Sequence, residues 1–329
     1  MSAPHPQPLS PPGGERVAKG RVRGPRLGFA GLGWIGRHRM EAVVASGFAE
    51  AALICDPVLG TPTSFDDLLD SDVDAIVVAT PSALHADQAV AALEKGKGVF
   101  CQKPLGRNGA ETRRVVDAAR ANDRLLGVDL SYRHTAALRK VRELVGSGEI
   151  GEVFAADLVF HNAYGPDKPW FYDPKLSGGG CVIDLGIHLV DMALWTLGFP
   201  RVKRVTSRLF GQPVEHYATA RIDLMTGAAL QLACSWNLSA GRDCVIGATF
   251  YGTRGAAAMR NVNGSFYDFT AEHYEKTRST LLVEPPDAWG GRAIVAWAEQ
   301  LMESPRFDPR IEQVVDVAET LDRIYACAS

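Results

Sequence analysis

An aspartate and a histidine, Asp184 and His188, stand four residues apart in the segment LSGGGCVIDLGIHLVDMALWTLG, which covers residues 176–198. This spacing places both side chains on one face of a helix, near its N-terminal end. A carboxylate beside an imidazole can orient the ring and raise its basicity, as a general base requires. Two other interpretations stay open, an ordinary pair on a helix surface or half of a metal site. The preceding glycines favour a ligand site, because they let the chain pass close to a bound molecule.

A lysine, Lys103, follows a short apolar strand in VFCQKPLGRN, residues 99–108. In an α/β sheet the carboxyl ends of the strands form the ligand-binding edge. Partial burial there disfavours the ammonium form, which suits proton transfer or hydrogen bonding to a hydroxyl oxygen. A solvated loop lysine is an equally good interpretation of the position alone.

A glycine-rich turn follows the first predicted strand in LGFAGLGWIGRHRM, residues 27–40. Gly31, Gly33 and Gly36 have the G-x-G-x-x-G spacing that brings a backbone close to a pyrophosphate. Asp56 ends the next strand about 20 residues on, where a carboxylate accepts hydrogen bonds from an adenosine ribose. We therefore predict a dinucleotide site. NAD is favoured over NADP, because Asp56 repels a 2′-phosphate and no cation follows it in Pro57–Val58.

Two further segments contain candidate ligand-binding residues. Thr80 and Pro81 in ATPSALHADQAV, residues 79–90, break the third strand at the same edge of the sheet; His85 by itself is interpreted as a structural residue of the following helix. HNAYGPDKPWFYDP, residues 161–174, is too polar and proline-rich for a core segment. It predicts a loop lining a pocket, with Tyr164 and Trp170 as candidate substrate contacts, although a solvent-exposed hairpin loop is the alternative.

The elements that must position these residues change character along the chain. Short apolar runs at 26–30, 51–55, 75–79, 98–101 and 125–129 alternate with helix-length amphipathic runs. This alternation predicts a doubly wound parallel sheet in an α/β domain of residues 26–130. Beyond about residue 150, period-two stretches such as Leu230, Leu232, Cys234 and Trp236 predict an antiparallel sheet. Residues 131–329 are therefore expected to form an α+β domain.

The composition restricts the class of protein. The 329 residues are 46% hydrophobic and 22% charged, with a formal net charge of −3, which argues against nucleic acid or an anionic membrane as a partner. No apolar run is expected to provide the roughly 20 residues of a membrane helix. Six scattered cysteines without C-x-x-C predict reduced thiols in a cytoplasmic protein and no metal site. Residues 1–25, rich in proline, glycine and arginine, predict a disordered tail.

Taken together, the segments GLGWIG, ATPSALH, CQKP, GEIGEV and GGGCVIDLGIHLVDMALWTLG resemble the glucose–fructose oxidoreductase / inositol dehydrogenase (Gfo/Idh/MocA) family in order and spacing, from about residue 26 to the C-terminus. The resemblance implies a Rossmann domain followed by a domain with an open, mostly antiparallel sheet. It also implies that this sheet packs against another subunit, giving a homodimer or homotetramer.

The resemblance also assigns roles to single residues. It implies that His188 is the acid/base, that Asp184 supports substrate and imidazole, and that Lys103 contacts the reacting hydroxyl and the nicotinamide ribose. Arg133, in SYRH, matches an arginine that often lies near the site. The remaining matched positions are expected to contact the cofactor: Gly31, Gly33, Trp34, Ile35, Thr80, His85 and Gln102.

Two positions depart from the family pattern. Gln102 stands where the family usually has glutamate; its amide can still bind a ribose but carries no charge. Ala136 stands where a proline is usual, which affects only the start of a helix.

The resulting hypothesis is hydride transfer between NAD and a secondary alcohol or ketone of a sugar, cyclitol or related polyol. Two alternatives stay open. One is a non-catalytic NAD-binding regulator or scaffold, to which Gln102 gives some weight. The other is a redox-assisted lyase or glycosidase of the same fold.

Overall fold

A computed structural model describes residues 24–328. The predicted disordered tail falls on residues that lie outside this range, except for Gly24 and Pro25. None of the six cysteines forms a disulfide; five are buried, and Cys327 is exposed.

The first sheet is parallel throughout and has five strands: β1 (Arg26–Ala30), β2 (Glu50–Cys55), β3 (Ala75–Val78), β4 (Gly98–Cys101) and β5 (Leu126–Val128). Their order in the sheet is β2-β1-β3-β4-β5. Helices cover both faces of such a sheet, so its strands are buried and apolar. In the third strand all four residues of AIVV are buried. The predicted doubly wound sheet is confirmed. Its helices are α1 (Trp34–Ser46), α2 (Phe65–Asp70), α3 (Ser82–Glu94) and α4 (Gly109–Ala121).

The second sheet has eight strands, which are β6 (Val153–Asn162), β7 (Val202–Phe210), β8 (Tyr217–Leu224), β9 (Ala229–Ser235), β10 (Cys244–Gly252), β11 (Ala256–Asn261), β12 (Phe269–Glu275) and β13 (Arg278–Val283). Their order in the sheet is β13-β12-β11-β10-β6-β9-β8-β7. Only β6 and β9 pair in parallel; every other neighbouring pair in this described sheet is antiparallel, which confirms the prediction.

Helices cover one face of this second sheet. The predicted alternation in β9 is present: Leu230, Leu232 and Cys234 are at most 3% exposed, whereas Gln231 on the opposite face is exposed. The helices that follow β5 are α5 (Ala136–Gly146), α6 (Pro174–Ser177), α7 (Ile187–Thr196), α8 (Arg292–Glu303) and α9 (Gln313–Ala326). Of these, α5, α7 and α9 contact the second sheet.

Helix α8 packs on the parallel sheet, although it belongs to the second half of the chain. Trp297 lies against Phe100 with ring centroids 5.5 Å apart. A Cβ at Gly127 would lie 2.5 Å from the Trp297 ring, so glycine in β5 provides the room for this contact. The C-terminal segment therefore completes the core of the N-terminal sheet.

One stretch contradicts the expectation that no apolar run is long enough to span a membrane. Residues 174–196 form a helical stretch of 23 residues that contains an 18-residue window of mean hydropathy 1.2, so it meets that test by length and composition. In the structure 83% of the apolar window is buried inside the protein. Its apolar character is explained by α7, which packs against α5, α9 and β6.

Candidate active site

The glycine turn between β1 and α1 comes close to its neighbours at two glycines. Gly31 has φ +87°, and a Cβ there would lie 2.6 Å from the carbonyl oxygen of Ala79. A side chain at Gly36 would collide with the carbonyl of Gly31. These contacts bring the N-terminus of α1, where the first N–H groups have no partner within the helix, against the end of β3. Trp34, half-exposed, and Ile35 begin the helix there.

Asp56 is only 6% exposed and is bound to this turn. Its Oδ2 accepts from the backbone N–H of Leu32 at 2.6 Å, and its Oδ1 accepts from those of Val58 at 2.8 Å and Leu59 at 3.1 Å. A carboxylate has about four acceptor positions. Asp56 therefore shapes the turn and keeps acceptor capacity for a ribose hydroxyl.

The side chains of Thr80 and His85 are engaged with the protein. Thr80 Oγ1 donates to Gln88 Oε1 at 2.6 Å. The His85 ring lies between the carbonyl oxygens of Thr80 (2.6 Å) and Pro104 (2.7 Å), and burial lowers its pKa. His85 thus joins the segments that follow β3 and β4. Contact of either side chain with a cofactor stays a prediction.

Lys103 and Asp184 meet across the two halves of the chain. Lys103 Nζ donates to Asp184 Oδ1 at 2.6 Å and to the Asp184 carbonyl at 2.8 Å. Trp236 is only 1% exposed, and its indole N–H donates to Asp184 Oδ2 at 3.1 Å. Because an ammonium has three N–H groups, Lys103 keeps one for another acceptor.

His188 lies next to this ion pair with its ring buried. The ring packs edge-on against Tyr132, with centroids 4.9 Å apart. Within the described range no side chain or backbone group forms a hydrogen bond with the ring. Burial, and then the positive charge of Lys103, lower the pKa of His188 well below 6.5, so the imidazole is neutral at neutral pH. A neutral ring nitrogen without a protein partner can accept a substrate proton.

The predicted pairing of Asp184 with His188 differs from the observed geometry. No hydrogen bond or ion pair joins the two residues in the described chain; the Asp184 carboxylate is held by Lys103 and Trp236 instead. Residues 182–186 form a π-helical turn before α7 begins, so the i,i+4 geometry of an α-helix does not apply at this point. Asp184 thus faces Lys103, and His188 lies in the following α-helix.

The glycines at 178–180 approach protein groups and not the ligand that was expected from the sequence. A side chain at Gly180 would collide with the carbonyl of Glu215. Glu215 Oε1 accepts from the N–H groups of Gly180 and Val182, both at 2.9 Å, and from the Tyr325 hydroxyl at 2.8 Å. This buried carboxylate fixes the turn that carries Asp184.

Gln102 belongs to a buried network that sequence reasoning did not identify. Its side-chain N–H donates to Asp129 Oδ2, which also accepts from Arg39 Nε at 2.5 Å. The Ser131 hydroxyl donates to the other oxygen of Asp129. Residue 102 therefore has no carboxylate of its own, but its amide is hydrogen-bonded to the carboxylate of Asp129.

The three candidate substrate contacts have different surroundings. Arg133 forms a two-point ion pair with the buried Asp191, with Nε 3.0 Å from each carboxylate oxygen. Tyr164 is exposed and its hydroxyl donates to Asp243 at 3.1 Å. Trp170 stacks on Phe171 with centroids 3.8 Å apart. The contact of each with a substrate stays a prediction.

The described residues contain no cluster of three or more histidine, cysteine, aspartate or glutamate side chains arranged to hold a metal ion. Their donors and acceptors suit a dinucleotide: backbone N–H groups at a helix N-terminus for a pyrophosphate, and Asp56 for a ribose. The Gln102 amide, whose N–H is bound to Asp129, presents its carbonyl oxygen as a further acceptor.

Comparison with known proteins identifies both halves of the chain. Residues 26–130 match the family described as "Oxidoreductase family, NAD-binding Rossmann fold", and residues 138–258 match the GFO/IDH/MocA C-terminal domain. D-glucoside 3-dehydrogenase of Escherichia coli is 29% identical over 67% of this chain and 69% of its own length. The match to 1,5-anhydro-D-fructose reductase of Ensifer adhaerens is 38% identical over 41% of each chain, so it spans less than half of that relative.

A solved structure extends the likeness to nearly the whole fold. GenD2 from gentamicin A biosynthesis, in complex with NAD, superposes with a TM-score of 0.79 at 25% identity, over 95% of this chain and 97% of its own. The resemblance inferred from the motifs is confirmed. The chain belongs to the GFO/IDH/MocA family and is an NAD(P)-dependent oxidoreductase.

Proposed function

We propose that this enzyme transfers a hydride between NAD and a secondary alcohol or ketone of a sugar, cyclitol or related polyol. The observation that carries the proposal is His188, a buried neutral imidazole without a described protein partner, beside the Lys103–Asp184 ion pair. The relatives named as sugar dehydrogenase and anhydrosugar reductase support the substrate class.

His188 and Lys103 would divide the chemistry of the substrate oxygen between them. In oxidation, a ring nitrogen of His188 takes the hydroxyl proton, and the free N–H of Lys103 stabilises the developing alkoxide. Such stabilisation contributes a few kcal/mol in a site that excludes water. Asp184 holds the ammonium in position through two contacts, and Trp236 holds Asp184. A bound nicotinamide supplies the hydride acceptor or donor.

NAD is the proposed cofactor in preference to NADP. Asp56 is buried where the adenosine ribose is expected, and a 2′-phosphate there would face its carboxylate. The following residues, Pro57–Thr61, provide no cation to offset that repulsion. We expect binding of NADH to exceed that of NADPH.

A second copy of the chain is proposed to cover the open face of the eight-stranded sheet, giving a homodimer or homotetramer. On that face Val159, Ala233 and Tyr251 are half-buried within one chain, and Gln231 is exposed. Light scattering of the purified protein would measure the assembly; a monomer at micromolar concentration contradicts this proposal.

The test of function is a screen of the purified protein for changes in NADH. Polyols and aldoses are offered with NAD, and keto-sugars and inosose-type ketones with NADH. The expected result is turnover with one structural class of these compounds. Tight NADH binding without turnover on any of them would favour a regulator or scaffold. Bound cofactor that is regenerated without net NADH formation would instead indicate lyase or glycosidase chemistry.

A further inference from the structure

A lysine from the second half of the chain lies at the glycine turn. Lys168 is exposed in the segment between β6 and α6, and its Nζ lies 3.4 Å from the position that a Cβ would take at Gly33. Gly33 is the residue that caps the N-terminus of α1. The two residues are 135 positions apart in the sequence, so the contact joins the two halves of the molecule.

The electrostatics of this position are unfavourable without an anion. A helix N-terminus carries a partial positive charge, which repels an ammonium group. The first turn of α1, Trp34–Arg37, contains no acidic residue and adds the positive charge of Arg37. Among residues 24–328, no carboxylate forms an ion pair with Lys168. An anion placed between Lys168 and the glycine turn would satisfy both the ammonium and the backbone N–H groups.

Contacts to the active site hold Lys168 in this place. The Phe171 N–H donates to the Lys168 carbonyl at 3.2 Å. Phe171 and Tyr172 pack edge-on against Trp236, with centroids 6.3 and 5.7 Å away. Trp236 is the residue that donates to Asp184. The segment therefore connects the glycine turn to the carboxylate that positions Lys103.

We propose that Lys168 binds the pyrophosphate of the dinucleotide. The segment 163–173, from the second half of the chain, would then cover the bound cofactor. The inference rests on the proposed dinucleotide site and adds a ligand that the glycine motif does not include. An ammonium on one side and N–H groups on the other would hold the phosphate oxygens by charge-assisted hydrogen bonds.

The test measures binding of ADP-ribose, which has the pyrophosphate but no nicotinamide, by calorimetry, together with NADH binding by fluorescence. Lys168→Met keeps the aliphatic part of the side chain and removes the charge. Lys203→Met is the matched control, because Lys203 is an exposed lysine on β7 at the edge of the second sheet. We expect Lys168→Met to weaken both ligands about tenfold and to reduce the salt dependence of binding, with the control unchanged.

Hydrogen exchange provides a second measurement. Addition of ADP-ribose should slow amide exchange in residues 163–168 of the native protein and should do so less in Lys168→Met. Wild-type affinity and salt dependence in Lys168→Met would overturn this inference and leave the dinucleotide site intact. If the native protein binds neither ADP-ribose nor NADH, both this inference and the proposed dinucleotide site are overturned.

Discussion

Replacing Gln102 with glutamate would place its carboxyl group against that of Asp129 inside the protein. The Gln102 amide N–H donates to Asp129, and both side chains are almost inaccessible to water: Gln102 is 8% exposed and the Asp129 side chain 0%. A glutamate at residue 102 has no N–H to donate, and Arg39 balances only one negative charge. One of the two carboxyl groups must therefore keep a proton at neutral pH, so the folded-state pKa of that group is raised.

The cost follows from the pH. An unfolded glutamate titrates near about 4.3, and holding it protonated at pH 7 spans about 2.7 units at about 1.36 kcal/mol each, or about 3.7 kcal/mol. The retained proton can donate one hydrogen bond, which offsets the hydrogen bond that the Gln102 N–H donates in the native protein. The expected loss in the free energy of unfolding is therefore about 3.7 kcal/mol at pH 7. Because the folded pKa is raised, the loss is absent below about pH 4.3 and grows as the pH rises.

Urea unfolding at several pH values measures this loss. The stability gap between native protein and Gln102→Glu should widen by about 1.4 kcal/mol per unit between about pH 5 and 7. Gln102→Met is the control: it removes the hydrogen bond without adding charge, so its smaller loss should not depend on pH. The double variant Gln102→Glu/Asp129→Asn, with one carboxylate again, should recover most of the stability. A Gln102→Glu loss that is independent of pH would refute the reasoning.

Three more outcomes are expected. Arg133→Ala leaves the buried carboxylate of Asp191, a residue only 1% exposed, without its partner. The free energy of unfolding, measured in urea, should fall by about 3–5 kcal/mol, and Asp191→Asn in the same chain should restore most of it. A loss below about 1 kcal/mol contradicts a structural role for this ion pair. Trp236→Phe keeps the packing but removes the N–H that holds Asp184, so kcat should fall about tenfold with NADH affinity unchanged; an unchanged kcat contradicts that positioning role. Because burial and Lys103 lower the pKa of His188, the acid limb of kcat/KM for alcohol oxidation should lie below pH 6.5; a limb at or above that value contradicts it.

The sequence predicted the features that local patterns encode. Buried strands, period-two alternation in β9 and the glycine turn are set by neighbouring residues, so they were predicted correctly. Lys103 and Asp56 were located at carboxyl ends of strands because strand and turn signals surround them. Locating these two residues did not require knowledge of contacts between distant parts of the chain.

The features that were missed depend on contacts between distant parts of the chain. Asp129 and Arg39 are 90 residues apart, and Trp236 and Asp184 are 52 apart, so no periodic pattern links them. The π-helical turn at 182–186 has an apolar sequence that also suits an α-helix, and its conformation separates Asp184 from His188. For Lys168, the only signal was a lysine within an aromatic, proline-rich loop.

Helix α8 shows the same limit on a larger scale. Its amphipathic sequence indicates a helix, but nothing in it shows which sheet the apolar face covers. In the structure that face packs on the parallel sheet formed by the first half of the chain. The division into residues 26–130 and 131–329 stays a prediction about domains.

The proposed roles of His188 and Lys103 in hydride transfer are tested most directly by comparing His188→Asn and Lys103→Met with the native enzyme on a responsive polyol or sugar. NADH formation in a single turnover is measured by stopped flow, and NADH binding is measured on the same preparations. We expect both variants to lose at least about a hundredfold in the rate of NADH formation while binding NADH as the native protein does. NADH formation at near-native rates in both variants would contradict it.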